Sequence, residues 1–415
     1  MILMKVNNNI NCGDITFLTP MNDIEAFFDR NYEGKVFSEI VVRFISTFSE
    51  SILQTPDVKS YPDLVALAFW MRKSNINSLE KEFITNNLGQ LKVGVGKVLL
   101  FSPSNVDTIF IYSLFISLMV GNRNIVRVSS KSSFQKDLLV DLLKKLLLLP
   151  DFLVLQNSLS IVTYPHSESI TSFLCSKVDM RVIWGGDDTV KKISQSPLPP
   201  TATEIKFANK YSLSIFDAKS ISELESKEFT ELINGFVNDS YWFGQQGCSS
   251  PRTVIWLNKE GYHQTIERFW EAVAVKSASM FSDEISVTDV MNKIVASNLY
   301  ATSIGECRVK KVGCMLTRVS FFDMRKHNEL RGLHCGSGLF LESCIESLES
   351  LKLIVDRKSQ TITYFGFEVE KLKAKFIEYG IFPDRVVPVG EALNFSVTWD
   401  GYDLFQSMTR TVDFI

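Results

Sequence analysis

The sequence lacks any excess of basic residues, and this absence narrows the possible partners. Its 415 residues carry 44 lysines and arginines against 47 aspartates and glutamates, a formal net charge of -3, with no run of five like charges. Such a balance excludes an extended surface for nucleic acid. The most apolar stretches, 109–120 and 146–149, are shorter than the ~20 residues of a bilayer span. The amino terminus lacks the pattern of a signal peptide, so we expect a cytoplasmic protein without a membrane span.

The cysteines also lack the spacing of a structural framework. There are seven, an odd number, and no Cys-x-x-Cys pair occurs. This pattern indicates neither a set of disulfides nor a zinc site, so we expect free thiols and no metal. The seven are Cys12, Cys175, Cys248, Cys307, Cys314, Cys335 and Cys344.

A third absence is the Gly-x-Gly-x-x-Gly fingerprint of dinucleotide-binding folds, since Gly94-Val95-Gly96 precedes its strand instead of following it. What is present is a regular alternation of short buried strands with helices. This alternation predicts a doubly wound α/β domain with a parallel sheet. The predicted strands are 97–101, 124–128, 159–164, 180–184 and 211–216.

Polar and small residues follow several of these strands. Asn105, Ser129, Ser130 and the pair Gly185-Gly186 all come at predicted carboxyl ends, where doubly wound sheets bind ligands. The glycine pair also precedes a predicted helix, whose first N–H groups could face a phosphate. Spacing alone leaves open whether the ligand is a nucleotide, another molecule or none.

One cysteine, Cys248, is distinguished by its neighbours. It lies between a predicted helix over 221–240 and a predicted strand over 252–257. Gly247 leaves room for a planar acyl carbon to approach the sulfur, and the backbone N–H groups of 244–247 are candidate donors to an oxyanion. This setting favours a nucleophilic thiol, the alternative being a small buried hydrophobe.

Several short motifs, in order, resemble one enzyme family. Residues 96–105, ending in Pro103-Ser104-Asn105, and residues 121–127 resemble a strand, turn and strand of the aldehyde dehydrogenase superfamily. Residues 183–187 resemble its turn near the cofactor phosphates, and 246–248 match its Gln-x-Cys. Residues 360–363 and 389–410 resemble the LuxC family of fatty acyl-CoA reductases more than they resemble ordinary aldehyde dehydrogenases. The resemblance covers residues 96 to 415.

The resemblance implies roles for individual residues. The resemblance gives Cys248 the role of the nucleophile and Asn105 the role of an oxyanion donor. It gives Glu204 the role of the general base, although the motif around Glu204 lacks its usual glycines. His166, His263, His327 and His334 are alternatives for the acid or base. The residues implied in cofactor binding are Ser102, Pro103, Arg127, Ser129, Ser130, Lys131, Gly185 and Gly186.

The implied architecture is an aldehyde dehydrogenase-like α/β fold. It predicts an amino-terminal and cofactor domain over 1–220 and an α/β catalytic domain over 221–385 that carries the cysteine. A terminal segment over 386–415 is expected to return across the domains.

The cofactor preference depends on Ser129-Ser130-Lys131. NAD-specific members of the superfamily often carry a Glu near this point, and a carboxylate would repel the 2'-phosphate of NADP. Ser and Lys can donate hydrogen bonds to that phosphate, so we expect NADPH. The alternative is that these are solvated loop residues.

The activity implied by the resemblance is reduction of a long-chain fatty acyl-CoA to the aldehyde, through an acyl-cysteine on Cys248 and with NADPH. The acyl donor is expected to be acyl-CoA or an acylated partner enzyme. An acyl-protein synthetase-like partner and a homo-oligomer are also expected. Two other functions stay open: a non-redox thiol acyltransferase or thioesterase, and a non-catalytic subunit that binds a partner.

Overall fold

The computed structural model describes residues 14–29, 34–56, 58–103, 105–258, 260–304 and 307–414. Of the residues discussed above, Cys12 and Ser104 lie outside these ranges. The chain divides into two units: Met1–Ala208 with Phe395–Ile415, and Asn209–Asn394. The sequence-based boundaries at 220 and 385 each lie within the second unit.

The first unit is built on a doubly wound sheet, as predicted. Six strands have the order β1-β5-β4-β3-β6-β7, in which β3 to β7 are parallel and β1 pairs antiparallel with β5. Apolar clusters cover the sheet on both faces. The elements are β1 (Thr16–Phe17), α1 (Ile24–Asp29), α2 (Glu39–Leu53), α3 (Pro62–Trp70), α4 (Lys73–Asn86), β2 (Leu91–Gly94), β3 (Lys97–Phe101), α5 (Ile109–Met119), β4 (Arg123–Arg127), α6 (Phe134–Leu147), β5 (Leu159–Thr163), α7 (Glu168–Cys175), β6 (Met180–Trp184), α8 (Asp187–Ser194) and β7 (Thr203–Phe207).

One predicted strand belongs elsewhere. The pattern over 211–216 predicted a fifth parallel strand of this sheet, but β7 takes the edge position and the strand at 211–217 lies in the second unit's sheet. A strand buried on both faces has the same apolar pattern in either sheet. The prediction of its sheet was therefore wrong, although its existence was predicted correctly.

The second unit contains a seven-stranded sheet in the order β10-β11-β12-β9-β8-β13-β14, parallel except for the β10–β11 pair. Helices α10 and α11 pack on one face, and α12 and α14 on the other. The elements are β8 (Tyr211–Asp217), α9 (Ala218–Ser222), α10 (Ser226–Tyr241), β9 (Pro251–Leu257), α11 (His263–Phe281), α12 (Val287–Ile304), β10 (Cys307–Val312), β11 (Leu316–Phe321), α13 (His327–Leu330), β12 (Leu339–Ile345), β13 (Ser359–Phe365), α14 (Val369–Tyr379) and β14 (Arg385–Pro388).

The chain then returns to the first unit through β15 (Thr398–Trp399), β16 (Tyr402–Asp403), α15 (Leu404–Ser407) and β17 (Thr409–Val412). Strand β17 pairs antiparallel with β2. The buried Asn122 secures this return, because its Oδ1 accepts the Gly96 N–H at 3.0 Å and its Nδ2 donates to the Met408 carbonyl at 2.9 Å. The Gly121-Asn122 motif thus has a structural role. None of the helices in the described ranges has the length and hydropathy of a membrane-spanning segment.

Candidate active site

Cys248 lies in a strained turn between α10 and β9, defined here as the thiol turn (residues 242–250). Three consecutive residues, Phe243, Gly244 and Gln245, have left-handed φ values of 57°, 59° and 62°. Such a conformation costs on the order of 1–3 kcal/mol at each non-glycine residue and persists only where the surroundings hold it. The fully buried Gln245 provides that restraint: its Nε2 donates to the Pro251 carbonyl and its Oε1 accepts the Gly338 N–H, both at 2.9 Å.

A second loop, residues 334–338, is packed directly against the thiol turn. The Ser337 N–H donates to the Gly244 carbonyl at 2.9 Å, and the Gln246 side chain donates to the Cys335 carbonyl at 2.8 Å. Gly336 makes this close approach possible, because a Cβ there would lie 2.3 Å from Gln246 Nε2. The two loops therefore form one hydrogen-bonded assembly.

The peptide of Cys248 is held by a buried hydroxyl. Ser212 Oγ donates to the Cys248 carbonyl at 2.6 Å and accepts the Thr361 N–H at 3.1 Å. The ladders that β8 makes with β9 and with β13 both have an irregular register beside Ser212. Such bulges leave backbone groups without a ladder partner and are frequent next to active sites. The hydroxyl occupies this gap and connects the sheet to the cysteine.

The residues on either side of Cys248 are small. Cys248 is partly exposed between the buried Gly247 and Ser249, so only a glycine and a short side chain flank it. The Arg252 guanidinium lies 3.5 Å from the Gln246 carbonyl.

The histidines nearest to this assembly are held in neutral, structural states. His334 Nε2 donates to the Leu339 carbonyl at 2.7 Å and its Nδ1 accepts the Gly336 N–H at 3.0 Å, so neither nitrogen is available as a base. Desolvation and the charge of Arg252 hold the pKa of His334 far below its usual value. Burial likewise lowers the pKa of His327 to about 4, and its Nε2 bonds Thr253 Oγ1 at 2.9 Å. His166 lies in an exposed turn and His263 begins α11.

Glu204 lies on β7 in the first unit, within an ion-pair network. Its carboxylate pairs with Arg181 and, at 2.8 Å, with Lys206. Burial alone would raise the pKa of Glu204, but the hydrogen bonds and charges of Lys206 and Arg181 bring it below its usual value. An ionised carboxylate with two cationic partners is a poor proton acceptor.

The residues predicted to bind a cofactor lie at or just beyond the carboxyl ends of strands in the first unit's sheet. The Ser102 N–H donates to the Arg127 carbonyl at 2.9 Å, and Pro103 follows it. Phe101 of β3 pairs with Arg127 of β4 and with Ile183 of β6, so Gly185 and Gly186 follow just beyond the carboxyl end of β6, level with the ends of β3 and β4. Asn105 is exposed in the turn after β3.

The loop after β4 has the donors expected for an anionic group. Ser130 and Lys131 are exposed, and Ser129 Oγ accepts the Lys131 N–H at 3.1 Å. The buried amino group of Lys136 donates to the carbonyls of Ser129 and Lys131 and pairs with Asp137 at 3.4 Å, so it stabilises the loop. Exposed hydroxyl and ammonium groups of this kind can donate to an anionic group. The first turn of α8, in contrast, carries Asp187 and Asp188, which oppose a phosphate at that helix end.

Sequence reasoning missed the residues that hold the thiol turn: Ser212, Gln245 and Gly338. A buried serine in a strand and a glutamine beside the predicted nucleophile have no pattern that reveals their partners. The glycines on either side of His334 and Cys335 are the one local signal, and they indicate a loop without indicating its contacts.

Comparison with known sequences finds matches among acyl reductases. Residues 75–281 match the acyl-CoA reductase family LuxC. A long-chain acyl-protein thioester reductase of Aliivibrio fischeri is 26% identical over 37% of this chain and 30% of its own length. Long-chain acyl-protein thioester reductase 2 of Photobacterium leiognathi is 21% identical over 65% of this chain and 59% of its own. The chain thus spans less than two thirds of either relative.

Solved structures confirm the fold class. Betaine aldehyde dehydrogenase of Staphylococcus aureus superimposes with a TM-score of 0.65 at 12% identity, over 94% of this chain and 85% of that one. Lactaldehyde dehydrogenase of Escherichia coli gives 0.64 at 14% identity, over 90% and 85%. At these identities the likeness concerns the fold. The aldehyde dehydrogenase-like architecture and the resemblance to LuxC, both predicted from the motifs, are confirmed.

Proposed function

We propose that this chain, whose residues 75–281 match the LuxC family of acyl-CoA reductases, reduces a long-chain fatty acyl thioester to the aldehyde with NADPH. The observation that supports this most is the thiol turn, in which a partly exposed Cys248 stands between small residues in a backbone held from three sides. The names of the two relatives support a long acyl chain and leave two donors, a CoA thioester and an acylated protein.

In this proposal Cys248 is the catalytic residue. Its thiol loses a proton, the thiolate attacks the thioester carbonyl, a new C–S bond forms as the donor's C–S bond breaks, and the departing donor thiolate takes up the proton that Cys248 released. The missing side chain of Gly247 lets the acyl carbon approach, and the fixed backbone presents N–H groups to the developing oxyanion without reorganisation. We propose Asn105 as a second oxyanion donor, so Asn105→Ala should lower the rate of the reaction.

The residues that would hold NADPH are Ser102, Pro103 and Arg127 at the sheet edge, with Ser129, Ser130 and Lys131 at the 2'-phosphate and Gly185 and Gly186 after β6. A bound nicotinamide supplies the hydride that reduces the acyl group. The chain's own part is to orient the acyl-cysteine and to regenerate the Cys248 thiol when the aldehyde leaves. We propose that Glu204, paired with Arg181 and Lys206, supports β7 rather than transferring a proton.

The experiment is NADPH oxidation with the purified protein and acyl-CoAs from short to long, beside an acylated carrier protein. Cys248→Ala should abolish oxidation, whereas Cys314→Ala, which removes an exposed thiol of the same unit, should leave it unchanged. Thioester cleavage without NADPH loss would contradict the redox step and indicate an acyltransferase or thioesterase. Equal activity of Cys248→Ala and the wild type would refute the acyl-cysteine.

A further inference from the structure

Trp184, the last residue of β6, is a buried tryptophan whose indole N–H has no acceptor among the residues that the structure describes. The residue is 9% exposed. The buried Trp256 and Trp270 of the second unit, in contrast, donate their N–H groups to Glu342 at 2.8 and 2.6 Å. Because a buried indole N–H ordinarily has an acceptor, the unbonded donor of Trp184 indicates a group that the chain itself does not supply.

The indole ring of Trp184 is fixed by a second aromatic ring. Trp184 pairs with Phe207 in the parallel ladder between β6 and β7. The two rings stack with their centroids 3.7 Å apart and an angle of 16° between their planes. Phe207 in turn contacts Tyr402 edge-on, at 5.8 Å. This packing sets the plane of the indole and with it the direction of the N–H, so the donor cannot simply turn to another acceptor.

Trp184 lies on a particular face of the first unit's sheet. Its side chain belongs to the apolar cluster that contains the residues of α5, whereas Ile183 and Val190 of α8 belong to the cluster on the other face. Helix α5 follows the turn that contains Asn105. The indole therefore points away from α8, whose first turn is acidic, and lies on the same face as the helix that follows Asn105.

The order of the strands separates Trp184 from the loop proposed to bind the 2'-phosphate. That loop, Ser129–Lys131, follows β4, and the order β4-β3-β6 places the ends of β4 and β6 two strand spacings apart, about 10 Å. A dinucleotide whose adenosine ribose lies at β4 extends along the carboxyl ends of the neighbouring strands. In the proposed reaction the hydride has to reach the acyl group beside Asn105, which follows β3. The nicotinamide half therefore extends towards β6 and Trp184.

Given the proposed use of NADPH, we propose that the Trp184 indole holds the nicotinamide end of this cofactor, with its N–H donating to the carboxamide oxygen. An uncharged N–H in an apolar setting suits a neutral carbonyl acceptor, whereas the anionic diphosphate favours charged donors. Trp184 is in this view a residue that orients the nicotinamide ring, and the hydride chemistry belongs to the cofactor.

Equilibrium binding, measured by calorimetry, tests this role without any turnover. The two ligands are NADPH and adenosine 2',5'-bisphosphate, which has the adenosine and the 2'-phosphate but no nicotinamide. Trp184→Phe removes the N–H and keeps a ring that can stack on Phe207. We expect its Kd for NADPH to rise about five- to tenfold, the effect of one lost hydrogen bond, and its Kd for the bisphosphate to stay unchanged. Unchanged binding of the bisphosphate also shows that the variant is folded.

Two control variants frame the result. Trp70→Phe, which alters an aromatic residue of α3 in the same unit, should leave the binding of both ligands unchanged, and Lys131→Glu should weaken both. If Trp184→Phe binds NADPH like the wild type, as it would if a water molecule accepted the N–H, the proposal is overturned. Equal weakening of both ligands by Trp184→Phe also overturns it. A wild type that binds neither ligand refutes the use of NADPH itself, so the two proposals fail in different ways.

Discussion

Replacing Ser212 with alanine is the most informative perturbation of the thiol turn. The hydroxyl is 1% exposed, donates to the Cys248 carbonyl at 2.6 Å and accepts the Thr361 N–H at 3.1 Å. Its removal leaves two buried backbone groups without this partner, each costing about 1–3 kcal/mol. We expect Ser212→Ala to lower the free energy of unfolding by about 2–6 kcal/mol. Because the Cys248 carbonyl also loses its restraint, we expect kcat to fall about tenfold, or about 1.4 kcal/mol.

Ser214→Ala separates positioning from stability. Ser214 is equally buried on the same strand, but its hydroxyl bonds Thr363 Oγ1 at 2.6 Å instead of the thiol turn. The assay is the rate of NADPH oxidation together with the rate of Cys248 alkylation by iodoacetamide across pH, at a temperature where both variants are folded. Ser212→Ala should lower kcat with KM nearly unchanged and shift the alkylation profile, and Thr at this position should restore part of both. Equal losses in Ser212→Ala and Ser214→Ala would refute the positioning role.

Three further predictions concern other parts of the molecule. Gly336→Ala should reduce turnover at least tenfold, because the new Cβ would clash with the thiol turn. Gly332→Ala should keep full turnover, because a Cβ there has no neighbouring atom within 4 Å. Similar rates for both variants would contradict the close packing of the two loops. Burial raises the pKa of Asp239 to about 7 although it accepts the Gly390 and Ala392 N–H groups. Its folded pKa therefore exceeds the unfolded value of about 3.9, so its stabilising effect is complete below pH 4 and is lost as pH rises through 7. In urea unfolding, the free energy of unfolding of the wild type should fall by about 2–4 kcal/mol relative to that of Asp239→Asn between pH 4 and 8. If the unfolding free energies of the two proteins changed with pH in the same way, the prediction would be wrong. Lys131→Glu should raise KM for NADPH at least tenfold with a smaller effect on NADH, while Lys145→Glu should change neither; an equal rise for both cofactors would count against a 2'-phosphate contact.

Much of the fold was predictable because it depends on local periodicity. Buried strands alternating with helices from residue 97 predicted the parallel sheet, and the motif around Cys248 identified the thiol and its place between a helix and a strand. These features depend on residues a few positions apart, whose spacing is visible in the chain. The strand at 211–217 shows the limit, since its apolar pattern fits either sheet and only the folded chain assigns it to the second.

The sequence by itself predicted the fold class, the resemblance to the LuxC family and the candidate nucleophile. Tertiary structure decided what holds that nucleophile and which charged groups are already engaged. The hydrogen bonds from Ser212 to Cys248 and from Thr361 to Ser212 join residues 36 and 149 positions apart, and the Gln246–Cys335 contact spans 89. No local pattern encodes such a pairing, because it depends on the register of neighbouring strands and on where two loops meet. For the same reason the sequence did not reveal that Glu204 is paired with Arg181 and Lys206, or that both nitrogens of His334 are bonded within its loop.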